Sequence, residues 1–435
     1  MIFDRKDSTL GVMDDLQIAV HTYDGCSRGC SGCVVDKHFK LKNRFQNILL
    51  PNQMSLIHSR VTDYYQWIQE NINTKEKGYF GVNGYQVKHF SYTFRFGNHS
   101  ELPLEELLKI SQLMDAKFKV FSTAPTDDIS KFYELTKPEN NPSDSRFFLE
   151  IIFDPIADKA SDIREMILEM RKHNILGYPE VLITQRLLTQ YSDPKKFVEE
   201  CVLPIGDIET QMQFGRYTPS KTRSFNTSQV VNLDTEVEWL AGVAYWITYY
   251  KLNIHPIPIG EYAVTFLDEY EEHKAQNLDG TIDLDKLEML VPEQPFDIEI
   301  IKDKTRDIFL SSLYVDHNLD LYVWSESMGQ HVLDSNFGFP KLGNIMEKPI
   351  EAIISEPNGV LEQMLNENVR HLMKHKKCSG CRYKSFCASH AIPFFRKFHD
   401  DNGKHCYGYI PVIREFQKHN NFLQGMVDGF KKLEF

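Results

Sequence analysis

The chain has 435 residues, 42% apolar and 25% charged, with a net charge of −12. That length exceeds one compact core and implies two or three packed units of an ordinary globular protein. The first residues show no basic stretch followed by an apolar run, so no secretion signal is expected. Residues 237–252, the most apolar helical stretch, contain Glu238, Lys251 and several tyrosines and are too short for a bilayer, so no membrane association is expected.

The resulting expectation is a cytoplasmic protein, where thiols stay reduced and clustered cysteines bind metal rather than forming disulfides. The charge is uneven. Residues 261–300 hold twelve acids against Lys274 and Lys286, and this run reads either as a solvated insertion or as a docking surface for a basic partner. No basic face for phosphates stands out, which excludes nucleic acid as the main partner.

Along the chain, short apolar runs alternate with helical periodicity. Strands are expected over 16–22, 86–96, 118–123, 146–153, 181–187 and 209–214, and helices over 104–115, 128–136 and 160–173. Six strands interleaved with helices predict right-handed βαβ units, in an open, partial (β/α)6 barrel of the TIM type. A helical and acidic connection follows over 236–305, after a barrel unit spanning 1–235. A small α+β, cysteine-rich unit is expected over 306–435, beginning with a hairpin around His317, Asn318, Leu319 and Asp320.

The eight cysteines are clustered. Cys26, Cys30 and Cys33 lie on one short loop just after the first strand, with Ser27, Gly29, Ser31 and Gly32 between them. Thiolates are soft ligands for iron–sulfur clusters or zinc. Three of them on one loop can hold three irons of a cube and leave the fourth open, and the small residues let the backbone wrap closely. A C-x-x-x-C-x-x-C spacing arises by chance only about 0.003 times in such a composition. A structural zinc loop is the plainer alternative, but it would lack a fourth ligand.

This spacing resembles the defining motif of the radical S-adenosylmethionine (SAM) superfamily. The resemblance implies a [4Fe–4S] cluster on the three cysteines, with SAM on its open iron. One-electron reduction would then cleave SAM to methionine and a 5′-deoxyadenosyl radical, which abstracts a substrate hydrogen. It also implies an electron donor of the flavodoxin or ferredoxin type.

Other family signatures carry over to particular positions. The Gly-Gly-Glu segment that meets the SAM amino group corresponds to Gly97 and Asn98, with its acid missing or displaced to Glu101. Ser122 and Thr123 end the third strand near SAM, and Asp154 ends the fourth after Phe153. Gln185, expected on the fifth strand, could approach the ribose, and Gly215–Arg216 follow the sixth. Gly32 takes the usually aromatic place beside the adenine. Simple capping or solvation also accounts for the polar residues among these.

Cys378, Cys381, Cys387 and Cys406 form a second set, with Lys374, Lys376, Lys377, Arg382 and Lys384 nearby in sequence. Four thiolates suit a fully ligated [4Fe–4S] cluster or a zinc site. Together with residues 342–345 (Leu-Gly-Asn-Ile) and a short helix after them, this set resembles the SPASM/twitch extension of peptide-modifying radical SAM enzymes. Where that extension holds a further cluster, this chain has Tyr322 to Ser325 and Ala391, so one auxiliary cluster is expected.

Cys201 stands apart, either as a hydrogen donor to a substrate radical or as a small buried apolar residue. The expected substrate is a peptide, such as a ribosomally made precursor. A small metabolite is the alternative, and a non-catalytic iron–sulfur or zinc protein the third reading. The cysteine loop begins by residue 26, so no leader-binding module is expected before it.

Overall fold

The computed structural model describes residues 15–22, 26, 48–71, 87–95, 97–216, 229, 231, 233–257, 298, 302, 306, 309–323, 340–374 and 379. In chain order these form β1 (Asp15–His21), α1 (Pro51–Asn71), β2 (His89–Arg95), α2 (Leu104–Leu113), β3 (Phe118–Thr123), α3 (Ser130–Leu135), β4 (Arg146–Phe153) and α4 (Ala160–Lys172). Then come β5 (Ile175–Ile183), α5 (Gln185–Gln190), α6 (Pro194–Phe197), β6 (Thr210–Arg216), α7 (Leu233–Tyr249) and β7 (Ile254–Ile257). The remainder is β8 (Ser312–Val315), β9 (Asp320–Val323), β10 (Gly343–Asn344), α8 (Ile350–Ile354) and α9 (Val360–Lys374).

All ten described strands join one sheet in the order β10-β9-β8-β1-β2-β3-β4-β5-β6-β7. Every pairing from β8 through β1 to β7 is parallel, and among these strands only the β8–β9 and β9–β10 pairs are antiparallel. With helices crossing between successive strands, this is the partial TIM-type barrel expected from the sequence. Two parallel strands exceed the expectation. β7 lies within the stretch read as a helical and acidic connection, and β8, read as part of the later unit's opening hairpin, pairs directly with β1. Both are four residues long, too short to show period-two alternation clearly.

The two faces of the sheet follow from strand alternation. In β2, Phe90, Tyr92 and Phe94 point one way and Ser91, Thr93 and Arg95 the other. Tyr92 and Phe94 join Phe121 in the main core with Met54, Ile57 and Val61 of α1, which marks that face as the helix-covered one. Registers carry the opposite, inward face around the barrel: Ala19 aligns with Thr93, Val120 with Phe148, and Glu150 with Tyr178. Val120, Phe148 and Tyr178, flanked by Phe118 and Leu176, form a separate apolar cluster on that face. Burial at ~25 cal/mol per Å2 holds both layers together.

The fifth strand begins six residues earlier than expected, at Ile175 rather than 181, and ends at Ile183. Its Gly177 and Pro179 read as breakers in a lone sequence. In the barrel Gly177 instead allows close helix packing, because a Cβ there would lie 2.4 Å from Met170 Sδ on α4. Gln185 is therefore not a strand residue. It is the exposed first residue of α5, behind Thr184, whose hydroxyl caps that helix by accepting from Leu187 N at 3.1 Å. Among the described residues no helix is long and apolar enough to cross a membrane.

Candidate functional site

Parallel strands send their C-terminal ends to one rim, where loops can converge on a ligand. Here the ends of β1, β2, β3, β4 and β8 deliver His21–Thr22, Arg95, Gly97 to His99, Ser122–Thr123, Asp154 and Asp316 to that rim. Cys26 follows Thr22 by four residues and is half-buried. A soft thiolate at the rim fits an iron–sulfur ligand. Cys30, Cys33, Gly32, Cys378, Cys381, Cys387, Cys406 and residues 261–297 lie outside the described residues. Among the described residues no group of three or more His, Cys, Asp or Glu side chains could hold a metal.

Asp127 ties the loops after β2 and β3 together. Its Oδ2 accepts from Asn98 Nδ2 at 2.6 Å, Ser100 Oγ at 2.7 Å and Ala124 N at 2.9 Å, with Thr123 Oγ1 at 3.4 Å. Asn98 Oδ1 in turn accepts from Ser100 N at 3.2 Å. Thus Asn98 and Thr123, assigned to SAM by sequence, are brought together with their polar atoms turned towards Asp127. Ser122 Oγ donates to the Gly97 carbonyl at 2.9 Å. These bonds shape the rim, and a ligand would reach it through backbone groups or by exchanging them.

Beside this knot lies His99, which the sequence reading passed over. Its ring is fully buried, with Nδ1 facing Ser122 N at 3.2 Å and Ser122 Oγ at 3.0 Å, and Nε2 2.9 Å from Thr22 Oγ1. Burial holds its pKa down at about 3, with the nearby Arg95 and His21 charges acting in the same direction. The ring is neutral at any ordinary pH.

The inward face carries charge below the rim. Arg95 pairs with Glu150 and, at 3.7 Å, with Glu180, all three almost fully buried. His21 Nδ1 lies 3.2 Å from Tyr314 Oη, and its ring meets His317 edge-on at 5.2 Å between centroids. His317, from the β8–β9 turn, thereby reaches the rim beside β1. One signal was available for two of the trio: Glu150 sits mid-strand among the apolar residues of RFFLEIIF, whose other charge is the exposed first residue Arg146, and Glu180 is the only charge in ILGYPEVLI. Charges in such positions are almost never buried unless paired.

The remaining assigned residues lie further from this knot. Asp154 turns the chain after β4, accepting from Ile156 N at 3.2 Å. Gln185 sits exposed on α5. Cys201 lies in the helical layer between β5 and β6, 3% exposed, in the main core with Tyr191 and Phe197. Burial pushes its thiol pKa up to about 11, against a hydrogen bond with Tyr191 that lowers it. Its surroundings are those of a packed core residue on the helix-covered side of the sheet.

No family model and no curated protein matches the chain. Among solved structures, native anSMEcpe with bound AdoMet is similar at a TM-score of 0.56 and 13% identity, over 95% of this chain and 99% of that one. Native anSMEcpe with bound AdoMet and Kp18Cys peptide is similar at 0.56 and 14%, over 96% and 99%. The same protein with Cp18Cys peptide is similar at 0.55 and 14%, over 96% and 99%. The chain has, over nearly its whole length, the fold of anSMEcpe, an anaerobic sulfatase-maturating enzyme of the radical SAM, SPASM-containing type.

Proposed function

We propose that this protein is a radical SAM enzyme that abstracts hydrogen from a peptide. The observation carrying this reading is Cys26 at the end of β1, heading a three-cysteine loop, on a barrel whose fold matches structures that hold AdoMet. Cys26, Cys30 and Cys33 would hold a [4Fe–4S] cluster, and Cys378, Cys381, Cys387 and Cys406 a second, auxiliary one. When bound, the first cluster and SAM supply the 5′-deoxyadenosyl radical, given an electron from a flavodoxin- or ferredoxin-type donor.

The chain's own residues supply orientation and shelter. Asp127 fixes the β2 and β3 loops through Asn98, Ser100 and Thr123. The buried trio of Arg95, Glu150 and Glu180 lines the inward face with fixed charges, which polarise a bound group without reorganising. Val120, Phe148 and Tyr178 give that face an apolar floor. A peptide substrate is favoured over a small metabolite by the two similar structures that hold peptides. The bond made is left to experiment.

Anaerobic reconstitution tests the reading. Two cubane clusters predict about eight Fe per chain, and reduction in the presence of SAM should release 5′-deoxyadenosine. About four Fe and one Zn would overturn the auxiliary cluster, and no 5′-deoxyadenosine from loaded protein would overturn the radical chemistry. A short reading frame beside the gene, encoding a peptide that the enzyme alters, would separate peptide from metabolite.

A further inference from the structure

The cysteine loop has a defined root. The chain leaves the barrel at Thr22, passes Cys26, Cys30 and Cys33 in sequence, and returns at Leu49, whose N–H donates to the Thr22 carbonyl at 3.2 Å. Thr22 is fully buried. Its backbone therefore clamps both ends of the loop, and its side chain meets His99, which is 77 residues away in sequence.

The other ring nitrogen faces Ser122. Ser122 meets His99 Nδ1 with both its N–H, at 3.2 Å, and its Oγ, at 3.0 Å, and that Oγ gives its own proton to the Gly97 carbonyl. Nε2 and Thr22 Oγ1 lie 2.9 Å apart, with the ring or the hydroxyl as donor according to the tautomer. A neutral ring bridges both sides in either tautomer: with the proton on Nε2 it donates to Thr22, and with the proton on Nδ1 it donates to Ser122 Oγ and accepts from Thr22. One rigid ring thus links the ends of β1 and β3 from a seat just past β2.

We infer that His99 is a positioning residue: through the hydrogen bond between Nε2 and Thr22 it fixes the root of the cysteine loop, and so the way its thiolates are presented to the cluster. The residue touches neither cluster nor substrate in this role; it acts through Thr22. Groups that orient metal ligands from outside the coordination sphere commonly change affinity or activity 10–100-fold when removed. This inference rests on the loop holding a cluster, as proposed above.

Two substitutions separate the ring's contacts. His99→Gln can extend an amide N–H to about the Nε2 position, whereas His99→Asn reaches only as far as Nδ1 and loses Thr22. Thr22→Val removes the hydroxyl from the other side. The readout is the electron paramagnetic resonance spectrum of the reduced, reconstituted protein with and without SAM, alongside iron content and thermal midpoint.

The expected result is a first-cluster signal that broadens, and an apparent SAM affinity that falls about tenfold, in both His99→Asn and Thr22→Val. His99→Gln should restore both. Combining His99→Asn with Thr22→Val should add little to either single change, since both break one bond. Wild-type spectra and SAM response in His99→Asn or Thr22→Val would overturn the inference. Equal impairment in His99→Gln and His99→Asn would also overturn it, because it assigns the effect to ring packing.

If His99→Asn fails to fold, Thr22→Val decides alone. A second measurement needs no cluster: hydrogen exchange at Leu49 N–H in metal-free protein should quicken about tenfold in Thr22→Val and not in His99→Gln. A wild-type protein that binds no iron would refute the radical SAM reading while leaving this exchange result standing.

Discussion

Acidification should unfold this protein in part through His99. Its folded pKa lies at about 3, held down first by burial, whereas an unfolded histidine titrates at 6.5. Between those values the unfolded chain binds a proton that the folded one refuses, so the stability contribution is present above pH 6.5 and is lost as pH falls towards 3. Each pH unit in that window is worth about 1.4 kcal/mol, which gives about 2 kcal/mol between pH 7 and pH 5 and a ceiling of about 5 kcal/mol near pH 3. Against a total stability of about 5–15 kcal/mol, that is a large share.

Urea unfolding of the metal-free protein at pH 7, 6 and 5 measures it, with His99→Gln as reference so that other titrating groups cancel. Wild type should lose about 2 kcal/mol more than His99→Gln over that range. Parallel pH profiles for the two proteins would refute the assignment of a neutral, buried His99.

Arg95→Met should cost about 3–5 kcal/mol, because it leaves Glu150 and Glu180 buried without their cation; an unfolding free energy within about 1 kcal/mol of wild type would mean the trio behaves like a surface pair. Gly177→Ala should cost about 1–3 kcal/mol by overpacking against Met170, and Met170→Ala in the same chain should recover part of it, as double-mutant unfolding would reveal. Cys201 should resist iodoacetamide at pH 8 in the folded protein, given its burial and its pKa of about 11. Cys201→Ala should leave 5′-deoxyadenosine release within about twofold of wild type, since Cys201 packs in the helical layer; a large loss would give the thiol a role that its location argues against.

The strands β3 and β4 were legible to the residue, because each is a short run rich in aromatic and β-branched or other apolar residues, bounded by turn-forming neighbours. β5 was misplaced because Gly177 and Pro179 look like breaks until Met170 is seen against the glycine. β7 and β8 gained their places from partners distant in sequence: β8 is a four-residue segment stabilised by β1, nearly three hundred residues earlier. The sites divide in the same way. Cys26 and Gly97 stand in local motifs and could be named. His99 could not, since a histidine in a loop carries no sign of the Thr22 and Ser122 that surround it.

Sequence alone therefore determined the chemistry on offer: three thiolates at ligand spacing on one loop, four more near the C-terminus, and alternating elements that close into a parallel sheet. These are local properties, set by spacing along the backbone and by side-chain periodicity. The tertiary structure decided how that chemistry is framed. It brought Arg95, Glu150 and Glu180 from three strands to one inward face, turned Asn98 onto Asp127, and set a neutral His99 beneath the root of the cysteine loop. Each of those contacts joins residues more than twenty apart, on elements that meet only once the sheet has closed. No short stretch of the chain records which of its neighbours will be brought there.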